Sequence, residues 1–184
     1  AATPIDPEVI KAMEPFFAQR FYNPSALYLA GRATHRALEQ ARSSVAQNLG
    51  ARPAEIVFTA GATEANNLAI QGIMKNYPGG EVLISSIEHE SVLAPAGLFK
   101  ARQIPVNSQG VVDLVVLEKM ISDKTVLVSV MMVNNEIGTV QPLREIAKIL
   151  NPVKLRRQRS NGASKLLPLY LHTDGAQAPN YLDL

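Results

Sequence analysis

Short apolar runs alternate with amphipathic stretches along most of the 184-residue chain. Asp6-Pro7 opens the first helical pattern, with Asp as capping residue and Pro at the first helical position, where its missing N–H costs nothing. Val9, Ile10, Met13, Phe16 and Phe17 follow at helical spacing. Tyr22-Asn23-Pro24-Ser25 reads as a turn. A second helix starts near Arg32, places Leu38, Ala41, Val45 and Leu49 on one face, and stops at Gly50. Glu55–Thr59 is short, apolar and β-branched, which predicts a strand. Ala60-Gly61-Ala62-Thr63 is a tight turn, and a helix follows from Glu64 to about Lys75.

The alternation continues to the end. Strands are predicted at Val82–Ser85, Gln103–Val106, Val126–Met132 and Leu166–His172, with helices at Ser91–Ala101, Asp113–Met120 and Glu145–Leu150. Strands that are apolar throughout, set between helices, predict an α/β fold whose mostly parallel sheet is covered by helices on both faces. Ligands in such sheets sit at the carboxyl ends of the strands. Four strand ends here carry small or polar residues: Gly61-Ala62-Thr63-Glu64, Glu88-His89-Glu90, Asn134-Asn135-Glu136-Ile137-Gly138 and Asp174-Gly175-Ala176-Gln177. Together they describe a cleft.

Each turn suggests its own chemistry. At Gly61 a small-residue turn lets backbone approach an anion, and the helix start supplies free N–H groups, the positive dipole end and the Thr63 hydroxyl. That describes a phosphate cradle; a simple helix cap by Thr63 is the plainer alternative. The turn matches neither phosphate-binding nucleotide fingerprint, so ATP and NAD are poorly supported. His89 lacks a second His or Cys at ligand spacing, which argues against zinc; its ring either packs structurally or stacks on an aromatic cofactor. Asp174 follows an apolar strand, and a buried carboxylate there needs a cation or several donors. It caps a helix or pairs with a protonated pyridine nitrogen, the contact that makes a pyridoxal ring an electron sink. Gln177, three residues on, could reach a ring hydroxyl.

Composition narrows the classes. The chain is 47% hydrophobic and 18% charged, enough apolar mass for a core and too little charge for a disordered tail. No apolar run reaches the length of a membrane span. The absence of Cys excludes disulfides, thiolate-held metal and a cysteine nucleophile within these residues. No signal-peptide pattern is present, so a cytoplasmic location is expected, and the missing initial Met suggests processing or truncation. The net charge of +2 is uneven: five basic residues and no acid lie between Lys154 and Lys165. No aromatic residue interleaves them, and Ser160–Ser164 beside them reads as loop. The run therefore reads as a solvated insertion over 151–167 rather than a phosphate or nucleic-acid contact.

The strand-end residues resemble the N-terminal part of the cysteine desulfurase family, class V of the fold-type-I pyridoxal phosphate enzymes. The similar stretches are Ala1–Val9, Asn23-Pro24-Ser25, Glu55–Asn67, Glu88-His89-Glu90-Ser91-Val92, Val133–Gly138 and His172–Ala178, in the family's order. The resemblance implies pyridoxal 5'-phosphate held by Ala62 and Thr63 at its phosphate, by His89 against its ring, by Asn135 near its hydroxyl and the substrate, by Asp174 at its nitrogen and by Gln177 at its ring oxygen. His89 would also take part in proton transfer. It implies conversion of L-cysteine to L-alanine, with sulfur passed to an enzyme cysteine as a persulfide and then to an acceptor protein. It also implies a homodimer that completes the phosphate site, with neither nucleic acid nor membrane as partner. The family's Schiff-base lysine, persulfide cysteine, substrate arginine and C-terminal small domain have no match here, so the 184 residues are expected to be a partial large domain, inactive alone. His172-Thr173-Asp174 and the long segment before it resemble the selenocysteine lyase branch. Another class V aminotransferase or a kynureninase-like hydrolase, and a non-catalytic cofactor- or partner-binding remnant, are the other readings. Asn134–Gly138 favours the desulfurase branch.

Overall fold

The computed structural model describes residues 4–160, 166–179 and 181–182. The chain divides into two compact units, one up to Phe58 and one from Thr59 onward. The first unit holds helix α1 (Pro7–Ala18), helix α2 (Leu29–Asn48) and a 3-10 turn, Pro53–Glu55. Asp6 caps α1 as its type predicts, its carboxylate accepting the Glu8 N–H at 2.7 Å. The strand expected at Glu55–Thr59 does not form. Ile56 is extended (φ −92°, ψ 125°), but no partner strand pairs with it among the described residues. Its carbonyl instead accepts from Arg42 of α2 at 2.6 Å, and the Arg42 guanidinium lies 4.8 Å from the Phe58 ring centroid. Extended backbone becomes sheet only through a neighbour, which local sequence cannot report.

The second unit is the α/β body. Its elements are α3 (Ala62–Met74), β1 (Glu81–Ser85), α4 (Glu90–Gly97), β2 (Lys100–Ile104), α5 (Leu114–Met120), β3 (Thr125–Ser129), α6 (Leu143–Arg159) and β4 (Tyr170–His172). The strands form one parallel sheet in the order β2-β1-β3-β4. Every residue of β1 and β3 is buried, the apolar centres Val82–Ile84 and Val126–Val128 as well as the polar residues at their ends. On one face Val82, Ile84 and Leu127 pack under Ile70 and Met74 of α3 and Val92 of α4. On the other, Leu83 and Val128 pack under Leu117 of α5 and Ile146 and Leu150 of α6. No helix among the described residues is long and apolar enough to cross a membrane.

Two boundaries moved for identifiable reasons. β2 begins at Lys100, three residues before the expected strand, because Lys100 pairs in register with Glu81. The Lys100 ammonium lies 2.7 Å from the Glu81 carboxylate and holds that carboxyl below its usual range. Within the expected 151–167 loop insertion, Asn151–Arg159 instead continue α6, and β4 begins only at Tyr170. The reason is visible along α6, where Ile146, Leu150 and Arg157 fall on one buried stripe. Residues 161–165, including Lys165 and most of the expected Ser160–Ser164 loop, lie outside the described residues, as do Ala1–Thr3 of the family-like N-terminus.

The turn between β2 and α5 closes at Gly110, whose φ is 77°. A Cβ there would stand 2.7 Å from Ile137 Cδ1 in the turn after β3. Gly110→Ala is therefore expected to lower stability by about 1 kcal/mol or more in urea denaturation, chiefly from backbone strain, because the Ile137 side-chain end can swing aside. A change below about 0.5 kcal/mol would show that both turns relax freely.

Candidate cofactor site at the carboxyl ends of the strands

The strand order places a crevice. From β1 the chain passes through α4 to β2 on one side, then through α5 back across to β3 on the other. Connections leave in opposite directions at the boundary between β1 and β3, where α/β sheets open for ligands. The turn after β1 carries Glu88 and His89, and the turn after β3 carries Asn134 and Asn135. Two side chains stitch these turns together. Glu88 Oε1 accepts the Met131 N–H at 2.6 Å, and Asn134 Nδ2 donates to the Ile87 carbonyl at 3.1 Å. On the far side of β3 the Met132 N–H donates to the Asp174 carbonyl at 2.8 Å, so pairing with β4 runs on to Asp174.

Asp174 is buried, with 9% of its surface exposed. Its Oδ1 accepts the Ala176 N–H at 2.9 Å, and its Oδ2 accepts from Asn66 Nδ2 at 2.8 Å. Asn66, from the second turn of α3, also donates to Ser91 Oγ at 2.9 Å. Ser91 Oγ lies 2.9 Å from His89 Nδ1, which also accepts the Ser91 N–H at 3.1 Å as the cap of α4. One hydrogen-bonded network thus joins β4, α3 and α4, and joins Asp174 to His89. Of the plainer alternatives raised for these residues, the cap holds in part: Asp174 closes a turn with one oxygen, with no helix following among the described residues, and His89 caps α4 with one nitrogen while the residue stays exposed.

Ala62 and Thr63 form the exposed first turn of α3, one turn before Asn66. The cap of α3 is Gly61, not Thr63, and no side chain caps this end. Glu64 reaches back to the Ala60 N–H at 2.7 Å, which leaves the small residues facing outward. Asn135 and Gln177 stand half-buried in the turns after β3 and β4, outside the network of Asp174. No metal-ligating cluster occurs among the described residues.

Three residues of the site escaped the sequence reading. Asn66 shares a buried stripe of α3 with Ile70 and Met74, and a lone polar residue on an apolar stripe was the available signal. Ser91 reads as an ordinary residue in a first helical turn. Glu88 is buried behind His89, and burial pushes its carboxyl up to about 7, with the Asp174 charge adding to the rise. Its Oε2 is buried and has no hydrogen-bond partner among the described residues. Nearby, His172 Nδ1 pairs with Ser129 Oγ at 2.8 Å, and burial holds this imidazole below its ordinary range against the pull of Asp174.

Comparison with known proteins places this arrangement. The sequence pattern described as aminotransferase class-V matches residues 1–156. A cysteine desulfurase IscS of Dictyoglomus turgidum is 37% identical over 189 residues, covering 99% of this chain and 44% of that protein. A cysteine desulfurase IscS of Rickettsia massiliae is 48% identical over 158 residues, covering 81% of this chain and 38% of that protein. Among solved structures, a NifS-like protein superposes with a TM-score of 0.88 at 31% identity, over 99% of this chain and 48% of that one. SspA in complex with cysteine superposes with a TM-score of 0.87 at 35% identity, over all of this chain and 51% of that one. The chain spans less than half the length of these curated relatives.

Proposed function

We propose, for a chain that belongs to the aminotransferase class-V family, that it forms the cofactor-binding part of a cysteine desulfurase. The observation that carries this reading is Asp174, a buried carboxylate at a strand end whose described partners are two neutral donors. A carboxylate has room for about four donors, and a buried one gains most from a cationic one. The protonated ring nitrogen of pyridoxal 5'-phosphate fits that opening. When bound, the cofactor supplies an electron sink for negative charge at the substrate α-carbon.

The chain's own residues would do the following. Asp174 would hold the proton on the ring nitrogen, aimed by Asn66 and the Ala176 N–H. The open first turn of α3, at Ala62 and Thr63, would take the phosphate through backbone N–H groups and the positive helix end. His89 would lie against the ring, and Asn135 and Gln177 would bond its oxygen. The substrate in this reading is L-cysteine, its product L-alanine, and the sulfur acceptor a thiol outside these Cys-free residues. A cytoplasmic homodimer that hands sulfur to an acceptor protein belongs to the same reading and rests on the family resemblance.

The test is a titration of the chain with pyridoxal 5'-phosphate, read by absorbance and by the circular dichroism induced in the cofactor. Saturable binding with the absorbance of a protonated ring is expected. Asp174→Asn, which keeps the shape and removes the charge, is expected to weaken binding about a hundredfold and to lose that absorbance. Equal affinity for both chains would remove Asp174 from the site.

A further inference from the structure

The network between Asp174 and His89 has a direction that its partners dictate. A carboxylate oxygen only accepts, so the Asn66 atom facing Asp174 is the amide nitrogen. That nitrogen carries two hydrogens, one for Asp174 Oδ2 and one for Ser91 Oγ. The Ser91 hydroxyl, which keeps its own hydrogen after accepting from Asn66, lies 2.9 Å from His89 Nδ1 and donates to it where that nitrogen is bare. The Ser91 backbone N–H points at the same Nδ1 from 3.1 Å, and a backbone N–H only donates. The lone pair on Nδ1 is therefore committed twice, and the ring proton sits on Nε2. Asn66 and Ser91 are both buried, with 4% and 6% exposed, so water does not compete for these bonds as it would at the surface.

We propose that Asn66 and Ser91 are positioning residues that hold His89 as its Nε2–H tautomer while aiming the Asp174 carboxylate. His89 then offers the site a hydrogen-bond donor at Nε2, because a hydrogen on Nδ1 would point at the Ser91 backbone N–H. One neutral amide serves both residues, so loss of Asn66 disturbs the carboxylate and the imidazole together. The inference about Asp174 and the cofactor rests on the reading given above; the tautomer does not.

The two parts are separable by experiment. In the cofactor-free chain, the ¹⁵N signals of the His89 ring distinguish a bare nitrogen from a protonated one. Nδ1 is expected in the bare range and Nε2 in the protonated range. Ser91→Ala and Asn66→Leu are expected to draw the two signals partway toward each other, the Ser91 backbone N–H remaining on Nδ1, while Ser91→Thr keeps the hydroxyl and the parent pattern. Asn66→Leu is also expected to weaken pyridoxal 5'-phosphate about tenfold and shift its bound absorbance, because Asp174 loses a donor. A protonated Nδ1 in the parent chain overturns the proposal even if neither variant folds. So do unchanged ring signals in folded Ser91→Ala and Asn66→Leu. A parent chain that shows the Nε2–H pattern yet binds no cofactor overturns the cysteine desulfurase reading and leaves the tautomer assignment standing.

Discussion

Arg157→Met is expected to destabilise the second unit by about 4 kcal/mol, the largest single effect on stability that the structure points to. The guanidinium is buried and has no carboxylate within salt-bridge reach among the described residues. It donates instead to four carbonyls: Thr125 at 2.6 Å, Ser122 at 2.7 Å, Leu167 at 3.0 Å and Pro168 at 3.2 Å. These carbonyls lie at the entrance to β3 and on the approach to β4, so one side chain of α6 fastens both strand starts. Methionine fills the volume and leaves the acceptors buried without donors, each at a cost of about 1 kcal/mol or more. Arg157→Lys is expected to recover less than half, because an ammonium has three donors at a point rather than a planar fork. Burial holds the Arg157 pKa below its ordinary value, but a guanidinium stays charged at any pH of interest. Urea denaturation of the three chains measures this; a loss under about 1 kcal/mol for Arg157→Met would mean that water reaches the carbonyls.

The second large effect concerns pH. Glu88 has a folded pKa of about 7 against an ordinary 4.5, chiefly through burial and with the Asp174 charge acting in the same direction. The fold therefore favours the protonated acid. The stability this group contributes is complete below about pH 4.5 and is lost as pH rises through 7. Its size follows from the shift and is about 3 kcal/mol. Glu88→Gln keeps an acceptor for the Met131 N–H and cannot ionise. The parent chain is expected to lose about 2 to 3 kcal/mol relative to Glu88→Gln between pH 5 and pH 8. Parallel pH dependence of the two chains would show Glu88 ionised at low pH and neutralised by a partner. The same proton matters to the site, since it keeps a second negative charge away from Asp174.

Much of the fold was legible in the residues. The mainly apolar runs at Val82–Ser85 and Val126–Met132 read as buried strands, and their alternation with helices implied a parallel sheet with two covered faces; the second run forms strand only as far as Ser129. Asp6 announced its helix by side-chain chemistry that acts within two residues. Polar candidates stand out just past β1, β3 and β4 in the same way, at His89, Asn135, Asp174 and Gln177, whereas Ala62 and Thr63 follow a segment that forms no strand. What failed was non-local. Glu55–Thr59 has strand composition and no neighbour to pair with among the described residues. The 151–159 segment has the composition of a solvated charge run, yet Arg157 turns inward to carbonyls more than 30 residues earlier in the chain.

The sequence by itself determined that the central strands β1 and β3 are buried, where most turns fall and which residue types follow those strands, because these follow from periodicity and short-range hydrogen bonding. Only the tertiary structure decided that Asn66 bridges Asp174 and Ser91, that Glu88 is buried against the end of β3, and that Arg157 binds two strand entrances. Those are contacts between elements 25 to 108 residues apart in the Asn66 case. Their partners are set by how helices pack over the sheet, and no local pattern encodes that.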